Sequence, residues 1–141
     1  MTEEELTARL RDFALRVIRL CGALSNNTPS RAIGSQLVRS GTSPGANYRA
    51  ACRGRSLADF VAKLAIKEEE MDESGYWLDL LMASGLMKPA RIAALYQESD
   101  ELTRILTASR MTARANISRV NPSPKKIENR KSKIENPVPA P

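Results

Sequence analysis

The chain lacks histidine and has few aromatic side chains, with one tryptophan, three tyrosines and two phenylalanines among 141 residues. Without histidine it has no usual general base near neutral pH, and it lacks both the commonest zinc ligand and any Ser-His or Cys-His nucleophilic pair. Carboxylates or lysine could still build a catalyst, but no spacing in the sequence indicates one. The sequence therefore predicts a protein that is not an enzyme and that carries no metal or cofactor.

The chain also lacks a long apolar run, and it has only two cysteines. No run is long enough to cross a bilayer. The acidic start MTEEELTARL has neither the basic beginning nor the apolar centre of a signal peptide. Cys21 and Cys52 lie in apolar helical contexts, which favours buried free thiols in a reducing cytoplasm; a disulfide is the alternative. We therefore predict a cytoplasmic protein that does not bind a membrane.

Apolar residues recur with helical spacing in four segments, so the sequence predicts an all-α fold. The second segment begins with Thr28 as N-cap and Pro29 in its first turn, and it stops at Gly54. Ser56 begins the third with the capping sequence SLAD, and Pro89 begins the fourth. The first segment has the clearest stripe, with steps of four and three: Leu6, Leu10, Phe13, Val17, Leu20 and Leu24.

The stretch RSGTSPGANYRAACRGRS in the second segment allows two interpretations. Local rules place a helix break at Gly41 to Gly45, around Pro44. A break there would leave ANYRAACRG as a very short helix, whereas proline can kink a helix without ending it. We therefore predict one helix of about 25 residues at 1.5 Å per residue, kinked at Pro44.

Charge is distributed unevenly in a chain of net charge +6. Residues 29–55 contain five arginines and no acid, whereas residues 56–85 contain seven acids and two lysines. The opposite charges predict ion pairing between the second and third helices, in particular by Arg39 and Arg49. Exposed pairs of this kind contribute well under about 1 kcal/mol each, so they would determine register more than stability.

The remaining basic residues form a candidate nucleic-acid-binding surface. Arg53 and Arg55 lie at a helix end beside Gly54, where they can face outward and contact phosphates. Ordinary solvated charge is the competing interpretation, which the sequence alone slightly favours. The candidate residues are Arg53, Arg55, Arg104, Arg110, Arg114, Lys125 and Lys126.

A buried polar network is a second candidate feature. Glu68 or Glu69 falls near the apolar stripe of the third helix, where an unpaired carboxylate is costly. Its natural partners on the second helix are Asn47, Tyr48 and Arg49. We expect this network to contribute structural specificity rather than to form an active site.

The composition changes at residue 119, and five of the eight prolines lie beyond this point. Residues 119–141 also hold six basic and two acidic side chains, and their apolar residues are isolated. Such a segment cannot bury enough apolar surface to fold. The sequence therefore predicts a bundle over residues 1–118 and a disordered, basic, proline-rich tail over residues 119–141.

Residues 36–81, QLVRSGTSPGANYRAACRGRSLADFVAKLAIKEEEMDESGYWLDLL, resemble the bacterial four-helix bundle proteins of the ribosomal-RNA intervening-sequence family. That family is similar to the Avd accessory protein of diversity-generating retroelements, and the resemblance extends over about residues 6–115. It implies an up-down-up-down antiparallel bundle and a ring-shaped homopentamer with a basic surface. In the retroelement branch it implies binding of nucleic acid and of a reverse transcriptase.

Two functions follow as hypotheses. The first is a non-catalytic, oligomeric bundle that binds RNA or DNA through phosphate contacts with low sequence specificity. The second is a protein-interaction scaffold or accessory subunit, for example of a reverse transcriptase, whose charges are mainly paired internally. Self-association is expected in both, because flanking apolar residues exceed what one four-helix core needs. These residues are Ile18, Cys21, Val38 and Ile66.

Overall fold

Four helices make up most of the chain in the computed structural model, which describes residues 1–54 and 56–120. Each helix contacts the next one in the sequence, and α1 also contacts α4, so the four close into an antiparallel up-down-up-down bundle. This confirms the predicted fold class. The helices are α1 (Glu3–Gly22), α2 (Thr28–Cys52), α3 (Leu57–Ala83) and α4 (Pro89–Val120).

Side-chain caps determine where the first three helices begin. The Thr2 hydroxyl accepts from the Glu5 amide, and the Glu5 carboxylate accepts from the Thr2 amide, which forms a capping box. Ser56 caps α3 as predicted, with its hydroxyl 3.1 Å from the Asp59 amide nitrogen. The predicted N-cap of α2, Thr28, is wrong by one residue, because the carboxamide oxygen of Asn27 accepts from the Ser30 amide.

Helix α2 is unbroken across Pro44, which confirms the prediction of one helix. Proline has no N–H to donate to the carbonyl of Ser40, so the helix loses one internal hydrogen bond here. Pro44 is fully buried, and the same helix packs against both α1 and α3. These contacts hold the backbone helical despite the missing bond; the bend angle stays a prediction.

Leucines from all four helices dominate the core, which also contains the rings of Phe13 and Tyr48. Phe13 is fully buried on α1, and the predicted stripe of that helix is buried over Leu6, Leu10 and Val17 as well. Burying a side chain of this size contributes about 1.5–3 kcal/mol. The other fully buried large side chains are Leu37, Leu64, Met71, Leu78, Leu81, Ile92, Leu102 and Leu106.

The C-terminal end of α4 lies slightly beyond the predicted bundle boundary. Residue 118 was the predicted last residue of the bundle, whereas α4 continues through Arg119 to Val120. Residues 121–141 lie outside the described residues, and the prediction of a disordered tail concerns that part of the chain. Within the described ranges, no helix is both long enough and apolar enough to span a bilayer.

Candidate nucleic-acid interface

The predicted basic residues do not come together on one surface. Arg104 pairs with Asp100 one turn away on α4, with 3.0 Å between Nη2 and Oδ2. Arg110 pairs with Glu68 of α3. Arg53 and Arg114 are exposed near the ends of α2 and α4. The other three candidates, Arg55, Lys125 and Lys126, lie outside the described residues.

Glu68 forms a polar cluster with α4 instead of α2. Its carboxylate accepts from the Arg110 Nε at 2.6 Å and from the Thr107 hydroxyl at 2.7 Å. Charge-assisted bonds of this length are among the stronger side-chain hydrogen bonds. Arg110 is therefore committed to a contact between α3 and α4, which reduces its availability to a phosphate.

The network predicted between α2 and the acidic run is wrong. The amide nitrogen of Asn47 donates within its own helix, to the Ser43 hydroxyl at 3.0 Å. Tyr48 is buried in the core, and burial raises the pKa of its phenol. Arg49 is exposed, and it lines a groove with carboxylates of α1 rather than of α3. Glu69 is exposed, whereas the preceding Glu68 faces α4.

Two other contacts join α2 to α3. Ser74 and Ser40 are both buried, and the Ser74 hydroxyl donates to the Ser40 hydroxyl at 3.0 Å. Arg39 pairs with Glu73, whose carboxylate also accepts from the Trp77 indole at 3.2 Å. The predicted ion pairing between these helices is therefore confirmed for Arg39. It is wrong for Arg49, which lies on the side of α2 that faces α1.

The Glu68 cluster predicts a pH dependence of stability. The Arg110 guanidinium lowers the pKa of the Glu68 carboxyl below its ordinary value. A carboxyl whose pKa is lower in the folded state stabilises the fold above the ordinary glutamate pKa of about 4.3, and this contribution is lost as the pH falls through the lowered value. We expect Glu68→Gln to lower the free energy of unfolding near pH 7, and the gap to wild type to close toward pH 3.

Urea denaturation of both proteins between about pH 7 and pH 3 measures this gap. Glu69→Gln is the control, since Glu69 is exposed and is expected to leave the free energy of unfolding almost unchanged. A constant gap between wild type and Glu68→Gln across the whole pH range would contradict an ionic contribution from Glu68.

One end of the bundle is basic. The antiparallel order places the α1–α2 and α3–α4 connections at the same end, and the stretches that flank them, residues 13–31 and 80–97, contain no Asp or Glu. We call this the basic end and define it by its five cationic side chains. They are Arg16, Arg19, Arg31, Lys88 and Arg91.

A groove between α1 and α4 brings three of these cations together. Arg16 and Arg19 of α1 and Arg91 of α4 line a space of about 260 Å³. Its floor is apolar and consists of Leu20, Met87 and Leu95. We call it the arginine groove; the described residues that line it include no carboxylate.

Most other grooves on the bundle have mixed or acidic linings, whereas one between α1 and α2 is lined by Arg31 without a carboxylate among its described residues. Near the start of α1, Glu3 and Glu4 lie beside Arg11, Arg49 and Arg53. A groove between α3 and α4 is acidic. It is lined by Asp72, Asp79 and Asp100 together with the exposed rings of Tyr76 and Tyr96. The arginine groove therefore contrasts in charge with these mixed and acidic grooves.

Metal ligands and reactive thiols are two kinds of group that can support catalysis. Within residues 1–54 and 56–120, no three side chains are grouped as metal ligands would be. Cys21 and Cys52 are free and half-buried, and burial raises the pKa of the Cys21 thiol to about 11. A thiol with so high a pKa is a poor nucleophile.

Comparison with known proteins places the chain in a family. Residues 3–108 match the model of a family described as 23S rRNA-intervening sequence protein. The chain belongs to this family. It is also similar to a protein of unknown function from the S23 ribosomal protein family of Bacteroides thetaiotaomicron. That crystal structure has a TM-score of 0.72 and 32% sequence identity, over 79% of this chain and 99% of the other. A comparison with curated proteins finds no match.

The family predicted from residues 36–81 is thus confirmed, whereas the relation to Avd stays a prediction. In this member of the intervening-sequence family, sequence reasoning missed the arginine groove. Its cations come from two helices that are far apart in the chain. The signal that could have indicated them is the absence of acids at residues 13–31 and 80–97, which antiparallel helices bring to one end.

Proposed function

We propose that this member of the 23S rRNA-intervening sequence family is a non-catalytic, oligomeric bundle that binds RNA or DNA with low sequence specificity. The observation that carries the proposal is the basic end, where five cations occur without a carboxylate in the same stretches of chain. Arginine and lysine bind phosphate oxygens that every sequence presents, so contacts of this kind give affinity without base selection.

The cations of the basic end are available to phosphates, because most of them are exposed and are not neutralised by a carboxylate. Arg19, Arg31, Lys88 and Arg91 are exposed, and none of them forms an ion pair with the described residues. A surface that carries one sign of charge raises the local concentration of a polyanion and speeds its association. The cations at the centre of the bundle are mostly paired with acids and contribute less to such a field.

Self-association is part of the proposal, with the homopentamer that the family resemblance implies as its specific form. Ile18 on α1 and Ile66 on α3 are each about half exposed, at 49% and 50%. Met111 on α4 is exposed as well. Exposed apolar side chains on several helices favour an interface with further copies of the chain.

Binding as a function of salt tests the proposed function. We expect fluorescently labelled RNA and DNA to bind at about 50 mM salt, and log K to fall linearly with log salt. The slope should be about −0.7 per phosphate contacted for single strands and −0.9 for duplexes. Oligonucleotides of unrelated sequence should bind with similar affinity, since the contacts are to the backbone.

A shorter chain ending at Val120 is the matched control, because it keeps all four helices. If the full chain and the shorter chain both bind, the bundle is the binding element. Binding by the full chain alone would assign the activity to residues 121–141. Absence of binding by both proteins at low salt would contradict the proposed function.

A protein-interaction scaffold is the second candidate, and a specific observation favours it. Three arginines form ion pairs between different helices, so part of the charge is used internally. They are Arg9 with Glu98, Arg39 with Glu73 and Arg110 with Glu68. The acidic groove with Tyr76 and Tyr96 is a surface that a basic protein segment could contact. Docking of a reverse transcriptase or another protein would then take the place of nucleic-acid binding.

A further inference from the structure

We infer that the arginine groove holds a nucleotide unit of single-stranded nucleic acid. The phosphate lies against Arg16, Arg19 and Arg91, and the unpaired base lies over the apolar floor. This inference rests on the proposed function, and it goes further by naming the strand state of the ligand and the place where it binds.

The first argument is the convergence of like charges. Three guanidinium groups line one groove, and the nearest carboxylate contact is that of Arg16 with Asp12, at 3.7 Å between Nη1 and Oδ2. Arg19 and Arg91 have no ion pair among the described residues. Like charges held close together repel, and an anion between them removes that repulsion. Arginine suits phosphate because its planar fork can donate two parallel hydrogen bonds.

The second argument is the way in which the groove is formed. Of the neighbouring helix pairs, α1 and α4 contact each other least. Farther along the same seam, Arg9 of α1 closes the space through bonds to Glu98 at 2.6 Å and to Glu101 at 3.2 Å. From Arg9 to Arg16 is seven residues, or about 10 Å along the helix. The groove is therefore open at the basic end and closed two turns away.

The third argument is the shape and the floor of the groove, which indicate a single strand. Packed helices lie about 8–10 Å apart, so a groove between two of them is too narrow to admit a duplex. Duplex phosphates could reach the rim arginines, but paired bases could not reach into the groove to Leu20, which is partly exposed; Met87 and Leu95 are almost fully buried and close the floor. Proteins that bind single strands combine a cationic groove with surfaces that accept unpaired bases, including guanidinium planes.

Other occupants of this groove are conceivable on charge alone, and the experiment distinguishes them. An acidic groove with Asp72, Asp79 and Asp100 lies on the same chain, so a second copy could place its acidic surface against the arginines. Free inorganic phosphate is the other possible occupant, because it offers the arginines the same anionic oxygens. The single-strand assignment requires that neither of these accounts for the effect of changing the arginines.

The test compares two double variants of the full chain. Arg19→Gln with Arg91→Gln removes two charges from the groove, and Arg11→Gln with Arg49→Gln removes two exposed charges from a groove that also contains Glu3 and Glu4. Binding of a labelled 12-nucleotide single strand and of a duplex of the same length is measured at about 50 mM salt. We expect the groove variant to bind the single strand at least about 10-fold more weakly, with a salt slope reduced by about 1–2, and to lose clearly less affinity for the duplex, whose phosphates can still contact Arg31 and Lys88.

The control variant is expected to retain single-strand affinity within about 3-fold, since Glu3 and Glu4 line the same groove as Arg11 and Arg49 and repel phosphate. Competition by a nucleoside monophosphate should exceed competition by inorganic phosphate at equal concentration, because only the former carries a base. Light scattering of the same samples should give wild-type mass for both variants, and thermal midpoints should show that both remain folded.

Each of the following outcomes would overturn the inference, and each has a different consequence for the proposed function. Unchanged single-strand binding by the groove variant would refute the groove and leave the proposed function intact. Equal losses for single strand and duplex, or equal competition by inorganic phosphate, would show that only phosphate is recognised. A change of mass confined to the groove variant would identify the groove as a subunit interface. If wild type binds neither nucleic acid, the proposed function fails together with the inference.

Discussion

Phe13→Ala is expected to lower the free energy of unfolding by about 3–5 kcal/mol. Phe13 is fully buried at the middle of α1, and it belongs to the cluster that includes Leu10 and Leu37. Removal of the ring loses its apolar transfer free energy and leaves a cavity that close-packed neighbours fill only in part. A loss of this size is a large fraction of the stability of an ordinary domain. Guanidinium denaturation followed by circular dichroism measures it directly.

Ile18→Ala is the matched control, because Ile18 lies on the same helix but is about half exposed. It is expected to cost well under half as much as Phe13→Ala in the separate subunit. Denaturation at two protein concentrations also tests self-association. If another copy of the chain covers Ile18, the loss of unfolding free energy caused by Ile18→Ala will depend on protein concentration. Equal, concentration-independent losses for both variants would contradict the placement of Phe13 inside the core and Ile18 outside it.

The helices could be predicted from the sequence because the apolar period is a local property. The stripe of α1 is buried at Leu6, Leu10, Phe13 and Val17 as its spacing indicated. The continuity of α2 through Pro44 could also be predicted, although local sequence rules favoured a helix break there. The deciding argument there was the shortness of the piece that a break would have left, and the packing of α2 against two helices explains how the structure tolerates the proline.

The partners of individual charges were harder to predict, because consecutive residues of a helix point about 100° apart. The opposite charges of α2 and α3 correctly indicated the pair Arg39 with Glu73. The same reasoning failed for Glu68, which points toward α4 and bonds Arg110. Which neighbour a carboxylate faces depends on the rotation of α3 within the bundle, and that rotation is determined by the whole core.

The antiparallel order of the helices decides which charges lie together at one end of the bundle. No single segment of the sequence shows this grouping. The acidic run of α3 lies near the centre of the bundle, where it pairs with Arg39 and Arg110. Of the cations without a carboxylate partner among the described residues, four lie where two connections meet, and three of the basic-end cations share one groove. Their grouping became visible only once the antiparallel order was combined with the acid-free stretches 13–31 and 80–97. This grouping is why we favour nucleic-acid binding over a scaffold.

The close approach of α1 and α2 leads to the second large expected effect, at Gly41. A Cβ at this position would lie 2.9 Å from Cγ2 of Val17 and 3.1 Å from its Cγ1, which is closer than such atoms can pack. Alanine gains about 1 kcal/mol of helix propensity over glycine. Overpacking a rigid core typically costs about 1–3 kcal/mol. We therefore expect Gly41→Ala to destabilise the protein by up to about 2 kcal/mol.

Gly45 supplies the matched comparison, since it lies one turn later on the same helix. A Cβ there would meet atoms of Leu10 at 3.5 Å, an ordinary van der Waals distance, so Gly45→Ala should stabilise the protein by up to about 1 kcal/mol. The two variants should therefore differ by about 1–3 kcal/mol in the free energy of unfolding, although the chemical change is the same.

A double variant identifies the atoms responsible. Val17→Ala removes the two methyl groups that a Cβ at Gly41 would meet. Because the clash is then absent, Gly41→Ala should cost less in the Val17→Ala background than in wild type, by at least about 0.5 kcal/mol. Strict additivity of the two changes would show that Val17 does not limit the approach of α2 to α1 at Gly41.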